Sequence, residues 1–315
     1  MNRLQKPKAL QPGDRIGLIA PSGPVVDPDR VDAAIEKLWE FGFHVTVGKS
    51  CHSLYGYLSG DDETRAADIN QMFADPKIDG IICLRGGYGT PRLLHKLDYE
   101  MIRKNPKLFA GYSDITALHT VFNQRCDLVT LHSPMPASDM LRDFDEFTRE
   151  SFLRAISSTE PLGELKNPDG EEEIKSLVGG VARGPIVGGN LSLLAGTIGT
   201  PYEIDTKAKL LFIEEIDEEP YAVDRMLTQL KLAGKFTDCN GVILGNWNNC
   251  VTKGEGRPSL SLLEIFNDVI VPAGKPVIYD VKAGHCKPTL TIPFGVEVIL
   301  DADASTLTIV ESALV

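Results

Sequence analysis

The chain has 315 residues, of which 43% are hydrophobic and 24% are charged. This is the composition of an ordinary globular protein, and it excludes a disordered or fibrous chain. The length exceeds the usual size of one hydrophobic core, so we expect two domains or one large α/β unit. The net charge is -12, and the sequence has no cluster of Lys and Arg residues that could bind a phosphate backbone. No nucleic-acid partner is therefore expected.

Targeting and metal signals are missing from the sequence. No apolar run is long enough for a signal peptide or a membrane span, so we expect a cytoplasmic protein without a membrane partner. Six cysteines without a Cys-x-x-Cys pair suit a reducing compartment with free thiols. The six histidines show no spacing typical of metal ligands, so no metal site is predicted.

The first half alternates short apolar runs with segments of helical period, which predicts a parallel sheet covered by helices. The predicted strands and the helices between them, in chain order, are strand 15–20, a helix capped by Asp27, strand 44–47, helix 62–73, strand 80–84, strand 108–110 and a helix from 115. Glycine-rich turns follow two of these strands, at 86–89 and 111–114. Both turns lie at the carboxyl ends of parallel strands, where open α/β sheets bind ligands.

A polar stretch at residues 166–175 predicts a linker between an N-terminal α/β domain (1–165) and a C-terminal domain (176–315). The second half predicts a mixed α/β pattern of strands 209–213, 241–244 and 276–281 with helices 221–232 and 260–269, followed by antiparallel strands within 290–310. We therefore expect a separate mixed α/β domain there.

Ser113 is a candidate nucleophile because it stands between a short buried strand and a helix. Such a turn presents a hydroxyl above the sheet, close to backbone N–H groups that stabilise an oxyanion. The alternative is a plain helix N-cap, since Gly-Tyr-Ser-Asp lacks the second glycine of the Gly-x-Ser-x-Gly elbow.

His285 and Glu214 each follow an apolar strand and are candidates for a general base and its carboxylate partner. For His285 the alternative is a structural histidine, and His119 and His132 compete with it because they lie nearer to Ser113 in sequence. For Glu214 the alternative is a solvated acidic loop, because several further acids follow it.

The glycines at 86–89 predict a close backbone approach to a substrate carbonyl. The N–H of Gly87 or Gly86 would form one half of an oxyanion hole and the N–H of Asp114 the other. A tight strand-to-helix turn is the alternative, and the spacing does not fit a phosphate-binding loop.

Five spaced motifs together resemble the LD-carboxypeptidase family, which also contains the microcin C immunity peptidases. The motifs are Arg85–Gly89, Gly111–Asp114, Gly188–Asn190, Ile213–Leu227 and Gly284–His285, and the likeness covers nearly the whole chain. The resemblance implies an N-terminal domain like the class I glutamine amidotransferases and a smaller C-terminal swivelling β/α domain, with the active site in the cleft between them.

The resemblance also implies a Ser113, Glu214, His285 triad, with Gly87, Gly86 and Asp114 as oxyanion donors. It implies a homodimer that needs no metal or organic cofactor. The family reaction removes the terminal D-alanine from murein tetrapeptides by cutting the L,D amide bond. The expected partner is thus a small peptide.

A carboxypeptidase must also recognise a free carboxylate, which suits the planar fork of arginine. Arg85 and Arg225 lie beside the family motifs and are candidates, although either could be a structural ion pair. Tyr88 and Asn190, within the motifs, are further candidates for substrate contact.

Two rival functions remain open at this stage. The first is hydrolysis of aminoacyl- or peptidyl-nucleotides, as in the microcin C immunity branch, for which Trp39, Trp247 or tyrosines would supply a platform for the base. The second is a non-catalytic binding protein on the same fold, which would have no need to keep the three triad residue types.

Overall fold

The structure is a computed structural model that describes residues 4–142, 144–254 and 256–315. Its strands, in chain order, are β1 (Arg15–Ile19), β2 (His44–Val47), β3 (Gly80–Cys83), β4 (Leu108–Gly111), β5 (Thr130–His132), β6 (Gly163–Leu165), β7 (Lys175–Val178), β8 (Val181–Asn190), β9 (Leu210–Ile216), β10 (Gly241–Asn248), β11 (Val277–Tyr279), β12 (Ile292–Phe294), β13 (Glu297–Asp301) and β14 (Thr306–Ile309).

The helices are α1 (Pro28–Glu40), α2 (Asp62–Ala74), α3 (Tyr99–Lys104), α4 (Thr116–Arg125), α5 (Glu146–Ser157), α6 (Leu191–Thr197), α7 (Pro220–Leu232), α8 (Lys235–Asp238) and α9 (Leu262–Val269). None of them, within the described part of the chain, is both long enough and apolar enough to cross a membrane. The contacts divide the chain into two compact units. Unit 1 contains the described residues up to 161 with 291–295 and 312–315, and unit 2 contains residues 162–290 and 296–311.

Unit 1 is built on a six-stranded sheet of order β12-β5-β4-β3-β1-β2. All neighbours are parallel except β12, which pairs antiparallel with β5 at the edge. The inner strands β3 and β4 are buried along their whole length, as expected for a parallel sheet with helices on its faces. Helix α1 begins as predicted, with Asp27 accepting from Asp29 N and with Pro28 in its first turn.

Unit 2 is built on an eight-stranded mixed sheet of order β6-β14-β13-β8-β9-β10-β11-β7. Its centre, from β8 to β11, is parallel, while β13, β14, β6 and β7 pair antiparallel on the two sides. A buried apolar cluster joins β9 and β10 to the helices α6, α7 and α9. The α/β class that we expected for both halves of the chain is confirmed.

The division into units differs from the predicted boundaries at 165 and 176. Residues 166–175, predicted as a linker, belong to unit 2, where Asn167 Nδ2 donates to Asp280 O and Asn167 Oδ1 accepts from Lys282 N. Strand β12 belongs to the sheet of unit 1, although it lies in the second half of the chain. Local composition indicates that a segment is polar, but it does not indicate which distant strands pair beside it.

Candidate active site

Ser113 lies at the turn that joins β4 to α4. Its backbone φ is +66°, a left-handed conformation that costs a non-glycine residue about 1–2 kcal/mol. A short 3₁₀ turn, Ser113–Ile115, follows at once and leads into α4. A serine held in this strained conformation between a strand and a helix has the backbone of a nucleophile elbow. The turn places Ser113 at the carboxyl end of β4, as predicted.

The alternative that Ser113 is simply a helix N-cap does not hold. Tyr112 occupies the cap position of the 3₁₀ turn and Ile115 that of α4, and neither end has a side-chain cap hydrogen bond. The strain at Ser113 is therefore not explained by capping. A strained residue at such a turn is a candidate for function.

The glycine-rich turn after β3 passes directly against Ser113. A Cβ on Gly86 would lie 2.9 Å from Ser113 Cβ and 3.0 Å from Ser113 Oγ. Gly87 has a φ of +134°, and a Cβ there would lie 2.9 Å from Gly23 N. Glycine thus permits the close approach of backbone that an oxyanion hole needs.

The two predicted oxyanion donors have no competing acceptor in the turns around them. Within residues 4–142, 144–254 and 256–315, the backbone N–H groups of Gly87 and Asp114 donate to no carbonyl of a turn or loop. Their assignment to an oxyanion hole stays a prediction, because it depends on where a substrate carbonyl binds.

The side chain of Asp114 joins three loops of unit 1. Its Oδ2 accepts from Ser22 Oγ at 2.6 Å and from Thr90 N at 2.9 Å, and Thr90 Oγ1 donates to Asp114 O at 2.5 Å. Burial raises the pKa of this carboxyl, because its charged form loses hydration. Asp114 therefore fixes the turn that carries Ser113. From the sequence, only its backbone N–H is predicted to have a role, although an acid directly after the serine is a signal for this positioning role as well.

Arg65 supports the same loops and was also missed. Its side chain is fully buried, with Nη1 donating to Pro21 O at 2.5 Å and Nη2 to Asp62 Oδ1 at 2.6 Å. A Cβ on Gly89 would lie 2.6 Å from Arg65 Nη1, so the glycine-rich turn packs against this guanidinium. Burial lowers the pKa of Arg65, and the Asp62 carboxylate opposes that shift.

Glu214 and His285 form a hydrogen-bonded pair in unit 2. Glu214 is fully buried near the end of β9, and its Oε2 lies 2.6 Å from His285 Nδ1 and 3.2 Å from His285 N. The side chain of His285 is 12% exposed. The carboxylate fixes the imidazole tautomer that carries its proton on Nδ1, so Nε2 is the nitrogen that can accept one. This is the arrangement of a general base with its orienting acid.

The neighbouring acid, Glu215, is held separately from this pair. Its carboxylate accepts from Asn190 Nδ2, Ser192 N and Ser192 Oγ, each at 2.7 Å. Burial raises the pKa of Glu215. The alternative of a solvated acidic loop is therefore wrong for Glu214 and Glu215, because both are buried and hydrogen bonded. Asn190, predicted to contact substrate, positions Glu215 in this structure.

The other predicted substrate contacts fall in both units. In unit 1, Arg85 Nη1 donates to Pro24 O at 2.9 Å and its Nε to Gly86 O at 3.1 Å. Burial lowers the pKa of Arg85, and the charges of two further arginines, Arg142 and Arg30, add to this effect. Within the described residues Arg85 forms no ion pair with a carboxylate. The alternative that Arg85 belongs to a structural ion pair is therefore not supported within the described residues.

The rings of Tyr88 and Tyr57 are exposed, with centroids 6.1 Å apart. In unit 2, the exposed Arg225 has its guanidinium 5.8 Å from the ring centroid of Tyr221. Unit 1 thus carries Arg85 and Tyr88 on the turn beside Ser113, whereas Arg225 and Asn190 belong to the unit that holds Glu214.

The competing histidines are core residues. His119 is buried, its Nε2 donates to Gly111 O at 2.8 Å, and burial lowers its pKa to about 3. His132 is buried between the rings of Tyr112 and Phe294. Both are therefore buried, whereas the side chain of His285 is partly exposed.

The tryptophans do not form an aromatic platform together. Trp247 packs on Phe266, with ring centroids 4.9 Å apart, whereas Trp39 is 57% exposed on α1. No group of three His, Cys, Asp or Glu side chains in the described segments is arranged to hold a metal.

Comparison with known proteins identifies the family. The model of the LD-carboxypeptidase N-terminal domain matches residues 16–133, and that of the C-terminal domain matches residues 183–300. The protein of Bacillus subtilis named "Probable murein peptide carboxypeptidase" is 45% identical over 306 residues, which cover 96% of this chain and 94% of that protein. The crystal structure of muramoyltetrapeptide carboxypeptidase from Oxalobacter formigenes has a TM-score of 0.81 and 30% identity, covering 93% of this chain and 97% of that one.

A further relative is the microcin C7 self-immunity protein MccF of Escherichia coli. It is 29% identical over an alignment of 331 positions, which covers 97% of this chain and 95% of that protein. A structure of MccF in complex with glutamyl sulfamoyl guanosine has a TM-score of 0.89 and 26% identity, covering 98% of this chain and 99% of that one. The matches support a serine peptidase with a carboxypeptidase role. The chain belongs to the LD-carboxypeptidase family.

Proposed function

We propose that this protein is a serine carboxypeptidase that releases the terminal D-alanine of murein tetrapeptides by cutting the L,D amide bond. The observation that carries the proposal is the buried Glu214 carboxylate 2.6 Å from His285 Nδ1, in a chain that also holds Ser113 in a strained strand-to-helix turn. The relatives named murein peptide carboxypeptidase and muramoyltetrapeptide carboxypeptidase support the choice of substrate.

In the proposed cycle, Ser113 Oγ attacks the carbonyl carbon of the L,D bond while His285 Nε2 takes the hydroxyl proton. Glu214 stabilises the imidazolium that forms. The oxyanion accepts hydrogen bonds from the N–H of Asp114 and of Gly87, with Gly86 as the second choice. His285 then protonates the leaving amine, D-alanine departs and an acyl-enzyme remains. Water, deprotonated by His285, hydrolyses this ester and restores the serine.

The free carboxylate of the terminal D-alanine needs a cationic partner, and Arg85 is our candidate. Its guanidinium is oriented by two main-chain carbonyls, of Pro24 and Gly86, which leave further N–H groups for a ligand. Because Gly86 lies against Ser113, an anion bound by Arg85 would be held on the turn that packs against the nucleophile. Tyr88, next along this turn, offers an exposed ring for an apolar part of the substrate.

The physiological setting is part of the proposal. We place the protein in the cytoplasm as a homodimer that recycles peptidoglycan, as the family resemblance implies.

Hydrolysis of acylated nucleotides is the second candidate. It is favoured by the likeness to MccF, whose structure contains glutamyl sulfamoyl guanosine, and by the exposed Tyr57–Tyr88 pair, whose faces could stack on a base. A non-catalytic binding protein is a weaker candidate, because strain at Ser113 and a buried Glu214–His285 pair are costly features for a protein without chemistry to perform.

The test is to incubate the protein with L-Ala-γ-D-Glu-meso-diaminopimelate-D-Ala and to follow D-alanine by mass spectrometry, with and without a chelator. We expect release that the chelator leaves unchanged, that Ser113→Ala abolishes and that the exposed control Ser157→Ala retains. Labelling by a fluorophosphonate probe should follow the same pattern. Hydrolysis of an aminoacyl sulfamoyl nucleotide instead would select the second candidate, and absence of labelling at Ser113 would favour the binding protein.

A further inference from the structure

Three arginines of unit 1 lie at one edge of its sheet. Strands β1, β3 and β5 run parallel in this sheet, so the segments that follow them share the edge at their carboxyl ends. Arg30 lies in the first turn of α1, which follows β1, and Arg85 lies two residues after β3. Arg142 follows the helical turn at Pro136–Met140, which comes after β5. The fold thus brings together three cations that are far apart in sequence.

Main-chain contacts join the segments that carry these arginines. Ala137 N donates to Leu84 O at 2.9 Å, directly before Arg85, and Ala137 O accepts from Arg30 Nη2 at 2.5 Å. Arg85 Nη1 donates to Pro24 O at 2.9 Å, in the loop that leads into α1. The Arg30 and Arg85 guanidiniums are therefore held in place by carbonyl groups.

The three arginines form a cluster of positive charge. Burial lowers the pKa of Arg85, and the charges of Arg142 and Arg30 lower it further, so both of these lie within electrostatic range of Arg85. Arginine nevertheless stays charged, and three like charges repel one another. A bound anion would relieve this repulsion.

Carboxylates do not neutralise this cluster. Over residues 4–142, 144–254 and 256–315, none of the three forms an ion pair, although the net charge of the chain is -12. Other arginines of the chain do pair with acids, namely Arg65, Arg92, Arg103, Arg149 and Arg183. The cluster therefore retains its charge for an anion from solution.

The acid three residues before Arg142 is bound by neutral donors. Asp139 Oδ1 accepts from Tyr112 Oη at 2.9 Å, and its Oδ2 accepts from Met135 N at 2.9 Å and from Ser138 Oγ at 2.8 Å. The carboxylate of Asp139 is thus occupied within its own turn and does not pair with Arg142.

We infer that Arg30, Arg85 and Arg142 form a binding site for a doubly charged oxyanion, of which inorganic phosphate is the simplest. The planar forks of arginine donate paired hydrogen bonds to phosphate oxygens. One guanidinium is enough for a carboxylate, which has one charge and two oxygens. A phosphate has more oxygens and up to two charges, and it can therefore use the other two guanidiniums as well.

An anion in this site would lie beside the nucleophile. Arg85 Nε donates to Gly86 O at 3.1 Å, and a Cβ on Gly86 would lie 3.0 Å from Ser113 Oγ. Phosphate on Arg85 would therefore compete with the terminal carboxylate of the substrate, which is assigned to the same guanidinium. This competition rests on the proposed function, whereas the binding of phosphate does not.

Calorimetric titration at constant ionic strength tests the binding without catalysis. We expect inorganic phosphate to bind the native protein at least about tenfold more tightly than acetate does. Arg142→Gln should weaken the binding of phosphate by about tenfold, the value of one charge-assisted contact. The control Arg154→Gln removes the same charge from an exposed position of α5 and should leave the affinity unchanged. Circular dichroism of both variants checks that they fold.

Glycerol 3-phosphate, as a second probe, distinguishes a free phosphate from an esterified one. Affinity equal to that of phosphate or higher would assign the site to a phosphate ester, and weaker binding would assign it to the free ion. Either result supports the site. Absent binding of both probes, acetate that binds as tightly as phosphate, or equal losses in Arg142→Gln and Arg154→Gln would overturn it.

Steady-state kinetics of D-alanine release test the competition. We expect phosphate to raise the apparent KM of the tetrapeptide without changing kcat, and Arg142→Gln to raise the inhibition constant of phosphate by about tenfold. Phosphate that lowers kcat and leaves KM unchanged would overturn the competition. Absence of D-alanine release without phosphate would instead contradict the proposed function, and the calorimetric titration would still decide whether the anion site exists.

Discussion

Gly284 lies directly against the carboxylate of Glu214: a Cβ on Gly284 would come within 2.6 Å of Glu214 Oε2 and 2.7 Å of its Cγ. This oxygen is the one that lies 2.6 Å from His285 Nδ1. Gly284 also has a φ of +106°, which residues with a side chain rarely adopt. The glycine before the histidine is therefore a requirement of the pair, and it explains why the two residues occur together in the motif.

Gly284→Ala should displace Glu214 and disrupt its bond to His285. We expect kcat/KM for D-alanine release to fall by at least about 100-fold, with a loss of about 1–2 kcal/mol in the free energy of unfolding from the strained φ. The matched control is Gly274→Ala, which also has a positive φ, +65°, but has no atom within 4 Å of its Cβ position. It should lose stability and keep activity. Similar activity losses in both variants would attribute the effect to backbone strain alone.

Glu214→Gln keeps the size of the side chain but removes the charge that stabilises the His285 imidazolium. By analogy with serine peptidase triads, we expect kcat to fall by about 10⁴-fold while the fold is retained. Steady-state kinetics and circular dichroism would measure the two effects. The control Glu297→Gln, at a surface ion pair with Arg183, should behave as the native protein does. Near-native activity of Glu214→Gln would exclude Glu214 from the catalytic role.

Gly86→Ala tests the close approach of the glycine-rich turn to the nucleophile. The added methyl would lie 3.0 Å from Ser113 Oγ, so the serine or the turn must shift. We expect kcat to fall by about 100-fold, comparable to the loss of one oxyanion donor, while KM changes little. Gly196→Ala in α6, where a Cβ meets nothing within 4 Å, serves as the control and should be fully active. Full activity of Gly86→Ala would show that the turn is not part of the oxyanion hole.

Arg85→Lys tests recognition of the terminal carboxylate. Lysine keeps the charge but loses the planar fork and its bonds to Pro24 O and Gly86 O. We expect KM for the tetrapeptide to rise by about tenfold, with a smaller change for the peptide whose terminal carboxylate is replaced by an amide. Steady-state kinetics on the acid and the amide would measure the difference. Equal effects on both substrates would assign Arg85 to support of the turn rather than to carboxylate binding.

The elements that carry the site could be predicted because their signals are local. Apolar runs located β3, β4 and β9, and Gly86, Ser113 and Glu214 lie at or just after the ends of these runs. Each strand end or turn involves only a few consecutive residues. Hydrophobic periodicity and the positions of glycines are therefore enough to predict it. The motif of Gly284 and His285 needed the family resemblance, because a histidine after a strand is common.

The contacts that position the site could not be predicted in the same way. Asp114 bonds to Ser22 and Thr90, which are distant in sequence and meet only because β4, β3 and β1 are adjacent in the sheet. Strand order depends on which apolar faces pack together, and local patterns do not encode it. Residues 166–175 belong to unit 2 for the same reason, because the pairing of β6 with β14 brings the chain into unit 2 before that segment begins.

His119 should make the protein sensitive to acid. Its Nε2 donates to Gly111 O, its buried Nδ1 has no hydrogen-bond partner in the described segments, and burial lowers its pKa from 6.5 to about 3. Between these values the unfolded chain binds a proton that the folded protein rejects. The stability contributed by neutral His119 is therefore fully present above pH 6.5 and is lost as the pH falls toward 3.

At about 1.4 kcal/mol per pH unit below the unfolded pKa, the loss between pH 7 and pH 5 is about 2 kcal/mol. His119→Gln keeps a donor for Gly111 O but does not titrate, so its stability should fall by about 2 kcal/mol less than that of the native protein over this range. Urea unfolding of both proteins at the two pH values measures the difference. The exposed His95→Gln serves as control and should retain the native dependence. A His119→Gln variant that loses as much stability as the native protein would show that acid sensitivity arises elsewhere.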